Sequence, residues 1–354
     1  MNILFLNGAY PFCYYYRGFL PGVYSGQMVV NDFIKLNGQS TAEEVTRLAQ
    51  KADVVVMQRP NDRKRLELVR ALKKAGKKVI FENDDTYLVG KGIMLDRLNN
   101  DSQRAKAVEI STYTNQILAM CDGAIASTPI LAKEYSEINP NVAVLKNCID
   151  PLDEYPTKKN TTGKFRVGFV GSVTTNDDYL HIKDQIKALD ERGDVTIVVM
   201  GIKYQDGSRI DFMEGDYKFW NSLQNVEWKP YVPINGYMMT LADLALDVAI
   251  IPREDNYFNR CKSNLKFLEM SLLRIPVIAQ GFPDGTSPYQ GVDEEYMTVV
   301  VDNLTWLDKI LDVKLNHDKY LSLANKAHDY VLEHYNIETY ASQWVETIKK
   351  LCNK

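Results

Sequence analysis

The sequence predicts an α/β protein built from two doubly wound parallel sheets whose strand ends face a cleft. Three observations point there. Short strands of about four to six apolar residues alternate with amphipathic helices through the first half of the chain. The alternation stops at a polar stretch rich in Pro and Thr, DPLDEYPTKKNTTGK at 150–164, and starts afresh beyond it. Strands of that kind are apolar on both faces, which suits a parallel sheet covered on both sides by its crossover helices. A chain of 354 residues is long enough for two domains of ordinary size. The expected partition is a first domain at 1–152, a linker at 153–164, a second domain at 165–330, and a C-terminal helix at 331–354 that could cross back to the first domain.

Taken in order, the first domain reads as a strand at 2–6, a helix at 28–36 and a strand at 53–57 (DVVVM). A helix at 63–75 follows, closed by Gly76 as a C-cap, then a strand at 79–81. A longer helix covers 101–120, with a strand at 123–126, a short helix at 129–135 and a strand at 142–145. Residues 8–22, GAYPFCYYYRGFLPG, read as a loop after the first strand. In the second domain, strands are expected at 165–170, 195–200, near 226, at 248–251 and at 277–279. Helices are expected near 178–191 and at 237–244 and 263–273, and 303–351 is mostly helical. Open α/β sheets take ligands at the carboxyl ends of their strands, so the chemistry is sought in the loops that follow them.

Composition removes several classes. Hydrophobic residues make up 45% and charged residues 25%, as in ordinary globular domains. No run approaches the roughly 18 to 20 apolar residues of a membrane helix. The opening MNILFLNGAYPF lacks a basic n-region, so no signal peptide is expected and the cytoplasm is the expected compartment. Five cysteines, at 13, 121, 148, 261 and 352, form no CxxC pair and no metal-like cluster with the four histidines. A net charge of -4 argues against a protein that simply coats nucleic acid.

Two stretches of the second domain carry the functional expectation. VGFVGSVTTNDD, 167–178, ends its strand in Gly171 and Ser172. A glycine there lets backbone N–H groups approach an anion, although a turn required by the fold alone would look the same. The pattern lacks GxGxxG, so a nicotinamide fingerprint has no support, and it lacks the P-loop pattern. FNRCKSNLKFLEMSLLRIPVIAQG, 258–281, places Lys262, Lys266 and Glu269 at spacings of four and three, hence on one helical face. That face is either a solvated one with i,i+4 support, or a ligand site. In the second case the helix start at Ser263 and Asn264 offers free N–H groups. Lys262 and Lys266 can neutralise a diphosphate, and Glu269 can accept hydrogen bonds from vicinal ribose hydroxyls. Such a set suits a nucleotide-diphospho-sugar and stabilises the charge that develops on its leaving group.

The second stretch resembles the nucleotide-binding motif of GT-B glycosyltransferases, particularly the group-1, family-4-like enzymes. Glu269 matches the second glutamate of their motif, and Ile275-Pro276-Val277-Ile278-Ala279 matches the buried strand after it. Gly171-Ser172 looks like the family's glycine turn, and Asn147-Cys148-Ile149-Asp150 is similar to the Asn-Gly-Ile-Asp that closes its first domain. Eight positions before Glu269, where the family has its first glutamate, this chain has Cys261. The missing carboxylate's work would fall to backbone groups of 262–264. The variant looks like a divergent bacterial surface-glycan or phage branch. The resemblance implies two Rossmann-like domains, a nucleotide-diphospho-sugar donor with no metal or other cofactor required, and transfer to a hydroxyl with retention at the anomeric carbon. The acceptor would be a glycan, a lipid-linked sugar or a modified base in phage DNA; for a phage protein the compartment becomes the host cytoplasm.

In the first domain FENDDTYLV, 81–89, ends a strand in Glu82, Asp84 and Asp85. Asp84 and Asp85 are the expected groups for binding or deprotonating an acceptor hydroxyl, with Lys266 as their catalytic counterpart on the donor; a capped, solvated turn is the alternative. Arg17, in the tyrosine-rich loop, is expected to touch donor phosphate; ordinary packing of that loop over a sheet edge is the alternative. Residues 59–78 hold nine Lys/Arg against two Asp/Glu. They read as a basic amphipathic helix, either a solvated face or a contact to an anionic surface at the membrane periphery or to DNA phosphates. Two rival readings remain: a sugar-phosphate epimerase of the same fold, and a non-catalytic nucleotide-sugar-binding module.

Overall fold

The computed structural model describes residues 1–7, 11–30, 42–89, 100–171, 176–203 and 214–353. The chain divides into two compact units, each with a parallel sheet of six strands among the described residues. Unit 1 is assembled from three pieces, Met1–Asp150, Arg260–Ser263 and Asn336–Lys354; unit 2 comprises Pro151–Asn259 and Asn264–Tyr335.

Unit 1 runs β1 (Ile3–Leu6), α1 (Pro11–Tyr14), a π-helical turn (Tyr15–Phe19), α2 (Leu20–Tyr24), β2 (Met28–Val29) and α3 (Ala42–Lys51). It continues through β3 (Val54–Gln58), α4 (Arg63–Lys74), β4 (Lys78–Asn83), α5 (Asp101–Met120), β5 (Gly123–Ala126), α6 (Pro129–Ser136) and β6 (Val142–Val144). The sheet order is β2-β1-β3-β4-β5-β6. Local chemistry explains the boundaries. Asp62 caps α4 by accepting the Arg65 N–H at 2.8 Å, and Gly76 closes it at φ +73. Leu66, Val69 and Leu72 are the buried stripe of that helix. Thr128 caps α6, with Pro129 in the first turn. The core joins Ile3, Phe5, Val54, Val56, Ile80 and Ile125 of the strands to Trp344, Ile348 and Leu351 of the C-terminal helix, Ile337–Cys352.

Unit 2 runs β7 (Phe165–Val170), α7 (Asn176–Leu180), α8 (Lys183–Glu191), β8 (Val195–Lys203), α9 (Glu214–Ser222), β9 (Val226–Pro230) and α10 (Ile234–Asp243). It continues through β10 (Val248–Ile251), α11 (Tyr257–Arg260), α12 (Leu265–Leu272), β11 (Val277–Gln280), β12 (Thr298–Val300), α13 (Trp306–Leu315) and α14 (His317–His334). Its sheet order, β12-β11-β10-β7-β8-β9, starts in the middle and winds out both ways. The reversal lies between β7 and β10, the place where such sheets bind ligands. In unit 1 the same reversal lies between β1 and β3. Both sheets thus have the doubly wound, Rossmann-like form expected of the sequence.

Several local expectations are corrected. Met28 and Val29 form a strand beside β1 rather than opening a helix; residues 31–36 of that expectation lie outside the described residues. Of residues 8–22, expected as a loop, 11–22 are helical, because aromatic side chains pack inward: Tyr14 and Tyr16 are buried, and 8–10 lie outside the described residues. The helix near 178–191 is two helices, α7 and α8. The helix expected from 263 begins at Leu265, with Asn264 as its N-cap. The basic stretch is less free than its charge count suggests. Arg63 pairs with Glu67, Arg65 with Asp62, and Lys73 and Lys78 share Asp122.

Candidate functional site

In unit 2 the turn after β7 is tightly built. Gly171 donates its N–H to the Met200 carbonyl at 3.2 Å, so that N–H is spent on β8 rather than offered to an anion. Facing it, Gly201 has φ +94, and a Cβ there would collide with the Gly171 carbonyl oxygen. Glycine is therefore required at 201 both for conformation and for close approach. Ser172 lies outside the described residues.

Beyond β10, Arg253 Nη1 donates to Asp178 Oδ2 at 2.7 Å, and the other oxygen of Asp178 accepts from Asn259 Nδ2 at 2.7 Å and the Glu254 N–H at 3.0 Å. Arg253 and Asp178 are both buried, and their pairing spans the reversal between β7 and β10. Burial opposes the charge on Arg253, but Tyr289 and Asp178 outweigh it and hold the guanidinium above its usual range. Sequence reasoning passed over this pair. The signal available was an arginine two residues past a buried strand end.

Helix α12 carries the densest chemistry. Lys266 Nζ lies 2.8 Å from Glu269 Oε2 and 2.7 Å from the Tyr237 hydroxyl, which itself donates to Glu269 Oε2 at 3.0 Å. The ammonium also sits 4.9 Å from the centre of the Tyr237 ring. Glu269 is only 2% exposed, so the charged face of this helix is not a solvated one. Burial first, then the Glu269 carboxylate, pushes the Tyr237 phenol far above its ordinary pKa and keeps it a donor. Lys266 has three N–H bonds and spends two on these partners. At the helix start the N–H groups of Phe267 and Leu268 both turn to the Asn264 carbonyl. The Asn264 side chain does not cap the helix; its amide donates to Asp293 Oδ2 at 2.5 Å and to Tyr335 at 3.1 Å. The first-turn N–H of Leu265 keeps no intrahelical partner, as helix geometry dictates.

Lys262 and Ser263 belong to the packing of unit 1. Lys262 Nζ lies 2.5 Å from Asp85 Oδ1, and Ser263 accepts from Asn147 Nδ2 at 2.7 Å. Arg59 ion-pairs with the other oxygen of Asp85 and approaches Asp84 at 3.5 Å. Arg59 has φ 49, a left-handed conformation disfavoured for its side chain, at the carboxyl end of β3. Burial alone would raise the Asp85 pKa; Lys262 and then Arg59 overcome that and hold it below the ordinary carboxylate range. A carboxylate so committed is a poor proton acceptor. Asp84, 15% exposed at its side chain and within ion-pair distance of Arg59 alone among the described residues, is the less committed of the two acids. Cys261, at the position of the family's first glutamate, is buried, and its carbonyl accepts from Thr128 at 3.0 Å.

Arg17 is corrected most. It lies on the π-helical turn with no exposed surface, donating from Nε to Glu82 at 2.6 Å and from Nη1 to the Leu145 carbonyl at 2.6 Å and Asn147 at 3.1 Å. Trp344 covers it at 4.8 Å. Burial raises the Glu82 pKa to about 7 against the pull of Arg17. This pair ties the helix after β1 to the end of β4. Among the described residues no group of three or more His, Cys, Asp or Glu side chains is placed to hold a metal ion, and no helix is long and apolar enough to cross a membrane.

No protein-family model matches the chain, and no curated protein matches it. Solved structures do. The chain is similar to HepE of Anabaena, solved with UDP-glucose, at 14% identity over 99% of this chain and 100% of that one, with a TM-score of 0.62. It is similar to a glycosyltransferase of Rickettsia africae at 11% identity over 99% and 98% of the two chains, with a TM-score of 0.64. It is also similar to TarM of S. aureus at 15% identity and a TM-score of 0.58, covering 83% of this chain and 54% of TarM, about half its length. At such identities the likeness defines the fold: two Rossmann-like units in the GT-B architecture.

Proposed function

We propose that the chain is a glycosyltransferase moving a sugar from a nucleotide-diphospho-sugar to a hydroxyl acceptor. The observation that carries this reading is the Lys266–Tyr237–Glu269 cluster on and beside α12. It sets an ammonium and a buried carboxylate three residues apart behind an uncapped helix start. The ammonium and the first-turn N–H of Leu265 suit a diphosphate, and the carboxylate suits the ribose diol. As the bond to the sugar breaks, negative charge grows on the departing diphosphate, and these groups are already in place to stabilise it. Lys266 supplies the counter-charge, so the donor is held without metal. The likeness to a protein solved with UDP-glucose supports UDP as the nucleotide to try first.

Unit 1 would take the acceptor, with Asp84 rather than Asp85 receiving or orienting its hydroxyl. Lys262 and Ser263, fixed by Asp85 and Asn147, present the backbone that stands in for the missing glutamate at 261. Family resemblance supports retention at the anomeric carbon, with a surface glycan, a lipid-linked sugar or a hydroxylated base in phage DNA as the acceptor and the cytoplasm as the compartment.

The test is thermal stabilisation and slow hydrolysis with UDP-, GDP-, TDP- and CMP-sugars, repeated with EDTA and with Glu269→Ala. One donor should raise the melting temperature and release sugar slowly. EDTA should leave the effect intact and Glu269→Ala should abolish it. If no nucleotide-sugar binds, the reading fails. Binding with no hydrolysis and no transfer would favour a non-catalytic sugar-nucleotide module, a reading the buried Cys261 supports because it removes a carboxylate the family uses.

A further inference from the structure

We infer that Tyr237 is a positioning residue that couples recognition of the diphosphate to recognition of the ribose. The inference rests on the donor reading above. Tyr237 lies on α10, outside the α12 motif, and is buried. Its hydroxyl has one proton, and the geometry fixes where that proton goes. Lys266 can only donate, so across the 2.7 Å contact the phenol oxygen accepts; its own proton is then directed to Glu269 Oε2 at 3.0 Å. The direct contact of Lys266 with the same carboxylate oxygen, 2.8 Å, closes a three-membered ring of hydrogen bonds. The ring polarises in one sense only: ammonium to phenol to carboxylate. Glu269 is thereby held in place as an acceptor for a diol, and Lys266 keeps one N–H for phosphate.

Moving any member disturbs the other two. A phosphate oxygen that draws Lys266 outward leaves the phenol as the main donor holding Glu269, so Tyr237 keeps the carboxylate in place while the lysine serves the diphosphate. Without the hydroxyl, Glu269 would follow the lysine. Loss of Tyr237 should therefore lower discrimination for the ribose diol, although Tyr237 itself touches neither diol nor phosphate.

The experiment is titration of UDP and 2′-deoxy-UDP, each read as a dissociation constant, against the wild type, Tyr237→Phe, Lys266→Met and the double variant, with thermal melts in parallel. In the wild type UDP should bind more tightly than its deoxy analogue. Tyr237→Phe should reduce that ratio about tenfold, as expected for one hydrogen bond to a charged group. Lys266→Met should weaken both ligands about equally, because the phenol still holds Glu269, and the double variant should combine that weakening with the reduced ratio of Tyr237→Phe. A Tyr237→Phe variant that melts lower but keeps the wild-type ratio overturns the inference. Loss of the ratio in Lys266→Met also overturns it, because the lysine rather than the phenol would then hold Glu269, and that arm stands even where Tyr237→Phe does not fold. If the wild type binds neither UDP nor the nucleotide of any other donor in the panel, the donor reading fails instead; where another base binds, its diphosphate and 2′-deoxy analogue take the place of UDP.

Discussion

Arg17 shows how completely a side chain's surroundings decide its role. A cation in a tyrosine-rich stretch after the first strand invites a phosphate, yet here it is sealed under Trp344 and joined to Glu82, Leu145 and Asn147. Removing one partner of a buried ion pair leaves the other uncompensated, at a cost of about 3–5 kcal/mol. Arg17→Met should lower the denaturation midpoint of unit 1 steeply, and the paired change Arg17→Met with Glu82→Leu should recover much of the loss. On the proposed reading, which puts the donor on α12 of unit 2, donor affinity should stay near wild type for the folded fraction in both. A selective loss of donor binding without loss of stability would return Arg17 to a phosphate role. Asp85 is similar in kind: beside Asp84 in the sequence the two are indistinguishable, and Lys262, reached across 177 positions, together with the closer contact of Arg59, separates them.

Elements are where sequence and structure agree best. The strands VVVM, GAIA, VAII and VIA are apolar on both faces, FRVGFV is so except for Arg166, and short runs of this kind suit a buried parallel sheet. Where an element is read from aromatics the agreement fails, since YPFCYYYRGF has no polar alternation to mark a helix and its π-helical turn has no periodic signature. The α12 motif was legible because spacing alone puts 266 and 269 on one face. Tyr237 and Arg253 were not, because their partners lie 32 and 75 positions away. The edge strand β9 supplies a test at this scale. Its Glu227 accepts from Arg166 of β7 at 2.7 Å and from Lys229 at 2.8 Å. The Arg166 hydrogen bond, more than the opposing burial, lowers the Glu227 pKa from 4.5 to about 2. A depressed carboxylate stabilises the fold above its unfolded pKa, and that contribution fades as pH falls toward its folded one. Glu227→Gln should therefore have a lower urea midpoint than wild type at pH 6, and the gap should close by pH 2. A gap independent of pH would mean that packing, not charge, pins the strand.

For the whole molecule, the notable fact is that unit 1 is not one stretch of chain. Trp344 in the C-terminal helix is buried against Phe5, with ring centres 6.2 Å apart, and closes the core on β1 and β3. Replacing a buried tryptophan with alanine costs about 3–5 kcal/mol. Trp344→Ala should speed hydrogen exchange in β1, β3 and β4 and leave β7, β8 and β10 protected; uniform loss across both sheets would show that the two units unfold as one. The same arrangement governs how the molecule is born. The first 150 residues leave the ribosome with the floor of their core still unmade, and the helix that completes it begins only at 337. At roughly 5–20 residues per second, the nascent first sheet waits on the order of ten to forty seconds for its last layer. Unit 2, which begins later, is synthesised to its end sooner, so order of synthesis and order of completion are reversed. Through that interval the unfinished face is a surface for chaperones to guard.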